Sequence, residues 1–214
     1  MIKAVILDLD GTIVHLKLRI KEAKKKFLRK LRECGVDIGS LTIDVPTEII
    51  MKSIKDKPRS WLMKLVDDSF LPYELEAAEE AELRDDAREV LEKLREEGFK
   101  LGLASNNGRV GVYKALKRLG IADLFDVVVT RNDVNSMKPD GKLVSKAVEM
   151  LRVARSEAVY VGDTIYDVEA ARNAGVRCIV VLGGGHPLKK LREAEPDAII
   201  KDLRELREAL RSLN

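Results

Sequence analysis

From Phe99 onward the chain alternates short β-branched runs with amphipathic helical patterns, and this alternation limits the folds open to it more than any other feature. Lys100 to Ala104, Val127 to Thr130, Ala158 to Gly162, Arg177 to Leu182 and Asp197 to Ile200 read as strands, and Ile2 to Leu7 supplies a sixth. The intervening stretches place apolar residues at three- and four-residue spacing, as in Val112, Ala115, Leu116, Leu119 and in Leu143, Val144, Ala147, Val148, Leu151. Gly120 and Gly175 stand where a left-handed residue would close a helix. Strands separated by helices pair in parallel through right-handed crossovers, which leaves helices on both faces of the sheet. The expected fold is α/β, a three-layer doubly wound parallel sheet whose ligands bind beyond the carboxyl ends of its strands.

One segment breaks this pattern. Between His15 and Leu83 helix follows helix, with Ile20, Phe27, Leu28 and Leu31 forming an apolar stripe opposed by a basic face of Lys21, Lys25, Arg29 and Arg32. Pro58 can open a second helix carrying Trp61, Leu62, Leu65 and Val66, and Pro72 reads as its end or the start of a third. Asp86 with Glu89 three residues on can cap the helix Ala87 to Glu97, which Gly98 closes. The expected organisation is a core of residues 1–14 and 84–214, with a small helical cap, residues 15–83, inserted between the first two core strands.

The charge balance narrows the function classes. Against 39 Lys and Arg stand 36 Asp and Glu, and the net +3 is spread along the chain, so nucleic acid is not an expected partner. Two cysteines, Cys34 and Cys178, are too few for a disulfide framework. No apolar run reaches the ~18 residues of a membrane span, and Asp8 and Asp10 interrupt the opening run before it could serve as a signal peptide. A soluble cytoplasmic protein is expected, monomeric or a small homo-oligomer. Charged residues at 35% with glutamine absent suit a hot environment.

Polar clusters close four of the strands. Asp8 and Asp10, in Asp8-Leu9-Asp10-Gly11-Thr12, follow the first; Ser105 and Asn106 follow Leu101 to Ala104; Lys138 lies in Met137-Lys138-Pro139; Gly162-Asp163-Thr164 is followed by Asp167. Each has an ordinary structural explanation: a turn aspartate before glycine, a strand-to-helix turn, a solvated loop lysine, a helix cap. Together they place carboxylates, a hydroxyl and an amine at one edge of the sheet. Two carboxylates at the tip of a buried strand cost several kcal/mol unless a cation, a proton or a phosphate answers them. Such a set suits phosphoryl transfer, where charge spread over the phosphoryl oxygens must be offset by a metal ion and a fixed amine.

In this order the motifs resemble those of the haloacid dehalogenase-like hydrolase superfamily, and the stretch Gly162 to Leu182 with the helical insertion is similar to its phosphoglycolate phosphatase and β-phosphoglucomutase branch. The resemblance implies a Rossmann-like core and a Mg²⁺-dependent phosphatase acting on a small phosphorylated metabolite. It implies that Asp8 is a nucleophile forming an aspartyl-phosphate and also a metal ligand, and that Asp10 is the acid and base with its carbonyl on the metal. Ser105 and the main-chain N–H groups of Leu9 and Asn106 would bind phosphoryl oxygens, Lys138 would hold phosphate and nucleophile, and Asp163 would bind Mg²⁺. Asp167 and Thr12 would support these from behind.

Asp10 separates phosphate-ester chemistry from the dehalogenases and pumping ATPases that share the frame. A phosphomutase remains an alternative, although the lid histidine of the resembled mutases would fall near Leu18, Arg19 or Ile20. A non-catalytic phosphate-binding protein is the other. Asp140-Gly141 stands where that branch often repeats a proline. His15 begins the lid or touches substrate, and Arg19, Lys57 and Arg59 are lid cations the sequence cannot aim. Gly183-Gly184-Gly185-His186 reads as a mobile loop, since no Gly-Lys-Ser pattern follows.

Overall fold

A computed structural model, which describes residues 1–213, shows a six-stranded parallel sheet with helices on both faces and a helical insertion. Strand β1 (Ala4–Leu7) leads to a two-residue strand β2 (Val14–His15), then to the insertion: α1 (Ile20–Glu33), α2 (Thr47–Ser53), α3 (Arg59–Glu79). The chain returns through β3 (Glu82–Leu83), α4 (Ala87–Glu96), β4 (Lys100–Ser105), α5 (Arg109–Arg118), β5 (Val127–Thr130), α6 (Arg131–Val134) and α7 (Lys142–Leu151). It ends with β6 (Ala158–Gly162), α8 (Ile165–Ala174), β7 (Arg177–Val181), α9 (Leu188–Glu193), β8 (Ala198–Ile200) and α10 (Leu206–Ser212).

The strand order β5-β4-β1-β6-β7-β8 makes the topology doubly wound. The chain runs outward from β1 through β4 to β5, then crosses back to β6 on the other side of β1. The direction of winding therefore reverses between β1 and β6, where two crossovers part and leave a crevice. Alternate side chains serve the two layers: Val5, Leu7, Val159 and Val161 pack against α4, α5 and α10, while Ala4, Ile6 and Tyr160 pack against α7 and α8. Because the strands are buried on both faces, their polar residues can stand only at the tips.

The insertion has its own apolar cluster, with Phe27, Leu28 and Leu31 of α1, Ile50 and Met51 of α2, and Leu62, Met63, Val66 and Phe70 of α3. β2 and β3 pair antiparallel at its two ends, His15 opposite Glu82. Three sequence expectations change here. Pro72 neither ends nor starts a helix but lies inside α3, because it sits on the exposed side, where the carbonyl it leaves without a donor meets water, while Phe70, Ala77 and Ala78 hold the buried side. Asp86 does not cap α4: it adopts a left-handed backbone, φ 62°, and its carboxylate pairs with Arg204 at 3.3 Å. Ile20 does not join the apolar stripe, whose buried members are Ala23, Phe27, Leu28 and Leu31; it is 43% exposed. The basic face of Lys21, Lys25, Arg29 and Arg32 is exposed, as expected of a solvated surface.

A buried ion pair ties α3 to the core. Arg131, 1% exposed, donates to both oxygens of Glu74, to Asp67 Oδ1 at 2.7 Å and to the Asn106 carbonyl at 3.0 Å, and Glu74 also accepts the N–H of Gly108. Removing one partner leaves the other charge buried and unanswered, which costs about 3–5 kcal/mol. The variant Arg131→Met should therefore lower the melting temperature by on the order of 10 °C in thermal unfolding, and Arg131→Met combined with Glu74→Leu should recover most of the loss.

Candidate active site

Asp8 sits one residue beyond β1, and its N–H reaches across to the Val161 carbonyl of β6 at 2.9 Å. β6 ends at Gly162, so Asp163 stands beside Asp8 at the point where the winding reverses. β4, on the other side of β1, ends at Ser105. Lys138 arrives from the loop between α6 and α7. The four sequence clusters thus meet at one edge of the sheet, lining a cavity of about 260 Å³ with Asp8, Asp10, Ser105, Asn106, Lys138 and Asp163.

Lys138 is the hub. Its buried Nζ lies 2.7 Å from Asp8 Oδ1, 2.6 Å from Asp167 Oδ1 and 2.9 Å from the Tyr160 hydroxyl, so three acceptors answer its three protons. Burial works against the ammonium, but Asp167 and Asp8 hold its pKa above the usual lysine range. The Tyr160 hydroxyl stands 3.1 Å from both the Ala104 carbonyl and Asp167 Oδ1, and burial pushes its pKa well up.

Asp167 serves two structures at once. Its Oδ2 accepts from the N–H of Asp163, the N–H of Thr164 and the Thr164 hydroxyl at 2.6 Å, closing a reciprocal cap on α8, while Oδ1 faces Lys138. Burial would raise its pKa, yet Lys138 and Thr164 hold it below the usual carboxylate range.

The remaining carboxylates are poorly answered. Burial raises Asp8 to about 7 in spite of Lys138, with the charges of Asp167 and Asp163 adding to it. Asp163 rises to about 6, by burial and then by Asp167. Asp10, aimed into the cavity with Oδ1 accepting the Leu16 N–H at 2.9 Å, rises to about 7, again by burial first.

Oxygens of Asp8, Asp163 and Asp167 lie within 4.8 Å of one another, the spacing of a metal site. Asp167 is the least available, since the Lys138 ammonium holds its Oδ1 and three donors share its Oδ2. Burial raises the pKa values of Asp8 and Asp163, a cost that a bound cation would offset, and all donors are oxygens, so the site fits a hard divalent ion. The Asp10 side chain stays outside that group, leaving only its carbonyl for the role the resemblance implies.

Thr12 stands behind the site as expected, and several further contacts escape sequence reading. Asn106 Oδ1 accepts the Lys138 N–H at 2.6 Å, so its side chain fixes the lysine loop. Thr12 Oγ1 donates to Asp163 Oδ1 at 3.3 Å, and the Gly185 N–H donates to Asp163 Oδ2 at 2.6 Å. The glycine loop after β7 therefore clasps Asp163: a Cβ on Gly184 would lie 2.0 Å from that carboxylate. Glu48 of α2, 1% exposed, accepts the Met137 N–H at 2.9 Å, and Lys52 pairs with Asp140 at 2.9 Å, so the insertion holds the loop of Lys138. Of the lid cations, Arg59 pairs with Glu48, Arg19 with Glu76, and Lys57 covers the Trp61 ring; none lines the cavity. His15 is exposed on β2 opposite Glu82. Leu18 and Ile20 do line the cavity, with Asn107, Thr164 and Tyr166. Among the described residues no helix is long and apolar enough to cross a membrane.

Comparison with known proteins gives a consistent neighbourhood. A profile of the family described as "Haloacid dehalogenase-like hydrolase" matches residues 5–181. The chain is 29% identical over 230 residues to the glyceraldehyde 3-phosphate phosphatase of Methanopyrus kandleri, covering 100% of this chain and 99% of the relative. It is 36% identical to the pyrophosphatase PpaX of Bacillus velezensis over 118 residues, 55% of each chain. Among solved structures, a HAD phosphatase from Thermococcus onnurineus superposes with a TM-score of 0.64 at 28% identity, covering 98% of each chain.

The raised pKa values of Asp8 and Asp163 carry a stability consequence. A carboxyl whose folded pKa exceeds its ordinary value stabilises the fold most below pH ~4, and that contribution disappears as pH rises through about 6–7. The metal-free protein should therefore lose melting temperature between about pH 5 and 8. A divalent ion at about 100 times its Kd should restore ~2.7 kcal/mol, or about 5–10 °C, at the alkaline end and much less at the acid end. Differential scanning fluorimetry with and without EDTA measures both.

Proposed function

The chain belongs to the haloacid dehalogenase-like hydrolase family, and from that premise we propose that it is a Mg²⁺-dependent phosphatase that hydrolyses a small phosphomonoester through an aspartyl-phosphate. The observation that carries this reading is the meeting of Asp8, Lys138, Asp167 and Asp163 at the reversal point of the sheet, with Asp10 facing the same cavity.

Lys138 orients Asp8 through Oδ1, which leaves the second carboxylate oxygen for attack on phosphorus. Asp8 bonds to phosphorus as the bond to the ester oxygen breaks, and Asp10 gives that oxygen its proton. Asp10 then takes a proton from water, whose oxygen attacks phosphorus, and phosphate leaves as Asp8 is regenerated. Ser105 and the main-chain N–H groups of Leu9 and Asn106 receive the phosphoryl oxygens. A Mg²⁺ held by Asp8, Asp163 and the Asp10 carbonyl would neutralise charge on the phosphoryl group. Asp167 and Thr12 are positioning residues: one fixes Lys138, the other Asp163.

A phosphomutase would need a base on the lid to return a phosphoryl group to its substrate. The lid residues at the cavity are Leu18 and Ile20, which carry no base. A purely phosphate-binding protein would have no use for a carboxyl at Asp10.

The variant Asp8→Asn should lose about four orders of magnitude or more in kcat. Asp10→Asn should lose about 10²–10⁴-fold in turnover of an alkyl phosphate, while with p-nitrophenyl phosphate, whose leaving group needs no proton, the first release of p-nitrophenol should be nearly spared and only the later turnover, which needs Asp10 as base, should fall. Full turnover by Asp8→Asn would remove the covalent mechanism.

A further inference from the structure

We propose, building on the phosphatase reading, that the ester this site takes has a small, uncharged leaving group, such as a short polyol, rather than one carrying a carboxylate or a second phosphate. The argument begins with charge. Three carboxylates, Asp8, Asp10 and Asp163, line the cavity, and Lys138 is its only lysine or arginine. That ammonium is already answered by Asp8 and Asp167. A divalent ion with the phosphoryl group it binds adds no net positive charge for a second anion to meet.

The walls around the leaving group are neutral. Leu18, Ile20, Asn107, Thr164 and Tyr166 complete the cavity, and none carries a charge. Of the basic residues beside the lining, Lys17 pairs with Glu82, Arg19 pairs with Glu76 and the Tyr73 ring, Lys21 lies on the exposed basic face of α1, and His186 packs edge-on against the Tyr166 ring; none of them lines the cavity. Lys24, one turn beyond Ile20 on α1, is half-buried, and desolvation lowers its pKa with the charge of Asp44 only partly offsetting this; it does not line the cavity. A second anionic group would therefore be desolvated without a partner, which is costly.

Ile20 adds a positive indication. It opens α1 at the cavity, 43% exposed, and with Leu18 gives the wall an apolar surface available to the carbon skeleton of a ligand. The cavity is small, about 260 Å³ against the ~300 Å³ at which drug-sized sites begin, so a phosphoryl group and a leaving group of a few carbons fill it. The hydroxyl and amide groups of Thr164, Tyr166 and Asn107 suit alcohols and carbonyls.

The test compares kcat/KM, with Mg²⁺ present, for p-nitrophenyl phosphate, glycerol 3-phosphate, phosphoglycolate and inorganic pyrophosphate. Glycerol 3-phosphate is expected to exceed both anionic-leaving-group substrates by about 100-fold. The variant Ile20→Arg should raise kcat/KM for phosphoglycolate at least tenfold, chiefly through KM. Parity or preference for phosphoglycolate or pyrophosphate overturns this inference while the phosphatase reading stands. Phosphoglycolate turnover that collapses in Lys24→Met overturns it too, by showing where the missing positive charge comes from. Silence on all four substrates, p-nitrophenyl phosphate included, overturns both.

Discussion

One buried ammonium holds the site together. Lys138 reaches the carboxyl end of the sheet from a loop far along the chain and bridges Asp8 to Asp167. Without it, carboxylates at two adjacent strand tips would face one another across a desolvated space. With it, Asp8 is oriented and Asp167 stays ionised, yet the charge is still not balanced. The deficit left on Asp8 and Asp163 is what makes this edge of the sheet receptive to a cation and a phosphoryl group, so binding capacity here follows from an incomplete electrostatic balance in the folded chain.

The sheet makes that arrangement possible. β1 lies between β4 and β6, and the winding reverses beside it, so the residues after three neighbouring strands open into one crevice. Supporting bonds then remove freedom from each group: Asn106 on the main chain of Lys138, Thr12 and Gly185 on Asp163, Thr164 on Asp167. Asp167 belongs to the start of α8 as much as to the site, which makes the position of the ammonium a property of helix formation.

Much of this was legible in the sequence, for identifiable reasons. The six strands are local patterns, set by periods of two and 3.6 and by turn residues, and Asp8, Ser105 and Asp163 stand at strand tips as expected, whereas Lys138 does not close a strand but comes from the loop after the short helix α6 that follows β5. What escaped was non-local. Arg131 and Glu74 are 57 residues apart and form a buried pair that no local pattern marks, and nothing in the sequence around Glu48 signals its burial. Pro72 was misread because a missing N–H matters only if its side of the helix is buried. Ile20 was assigned to the apolar stripe because period alone cannot separate a core face from a cavity face. The clasp of Gly185 on Asp163 carries no sequence signal, being a contact between two loops.

The insertion bears on more than access. Met137 packs among its apolar side chains, Glu48 takes the Met137 N–H, Lys52 pairs with Asp140, and Arg59 donates to the Asn135 carbonyl at 2.9 Å. Residues 135–140 are thus built jointly by both parts of the protein, and Lys138 sits in the middle of that stretch. It follows that the insertion is no interchangeable attachment. A foreign lid grafted onto this core would have to bring a compatible lysine loop with it, whereas a substitution at Leu18 or Ile20 changes the cavity wall and leaves that loop as it is.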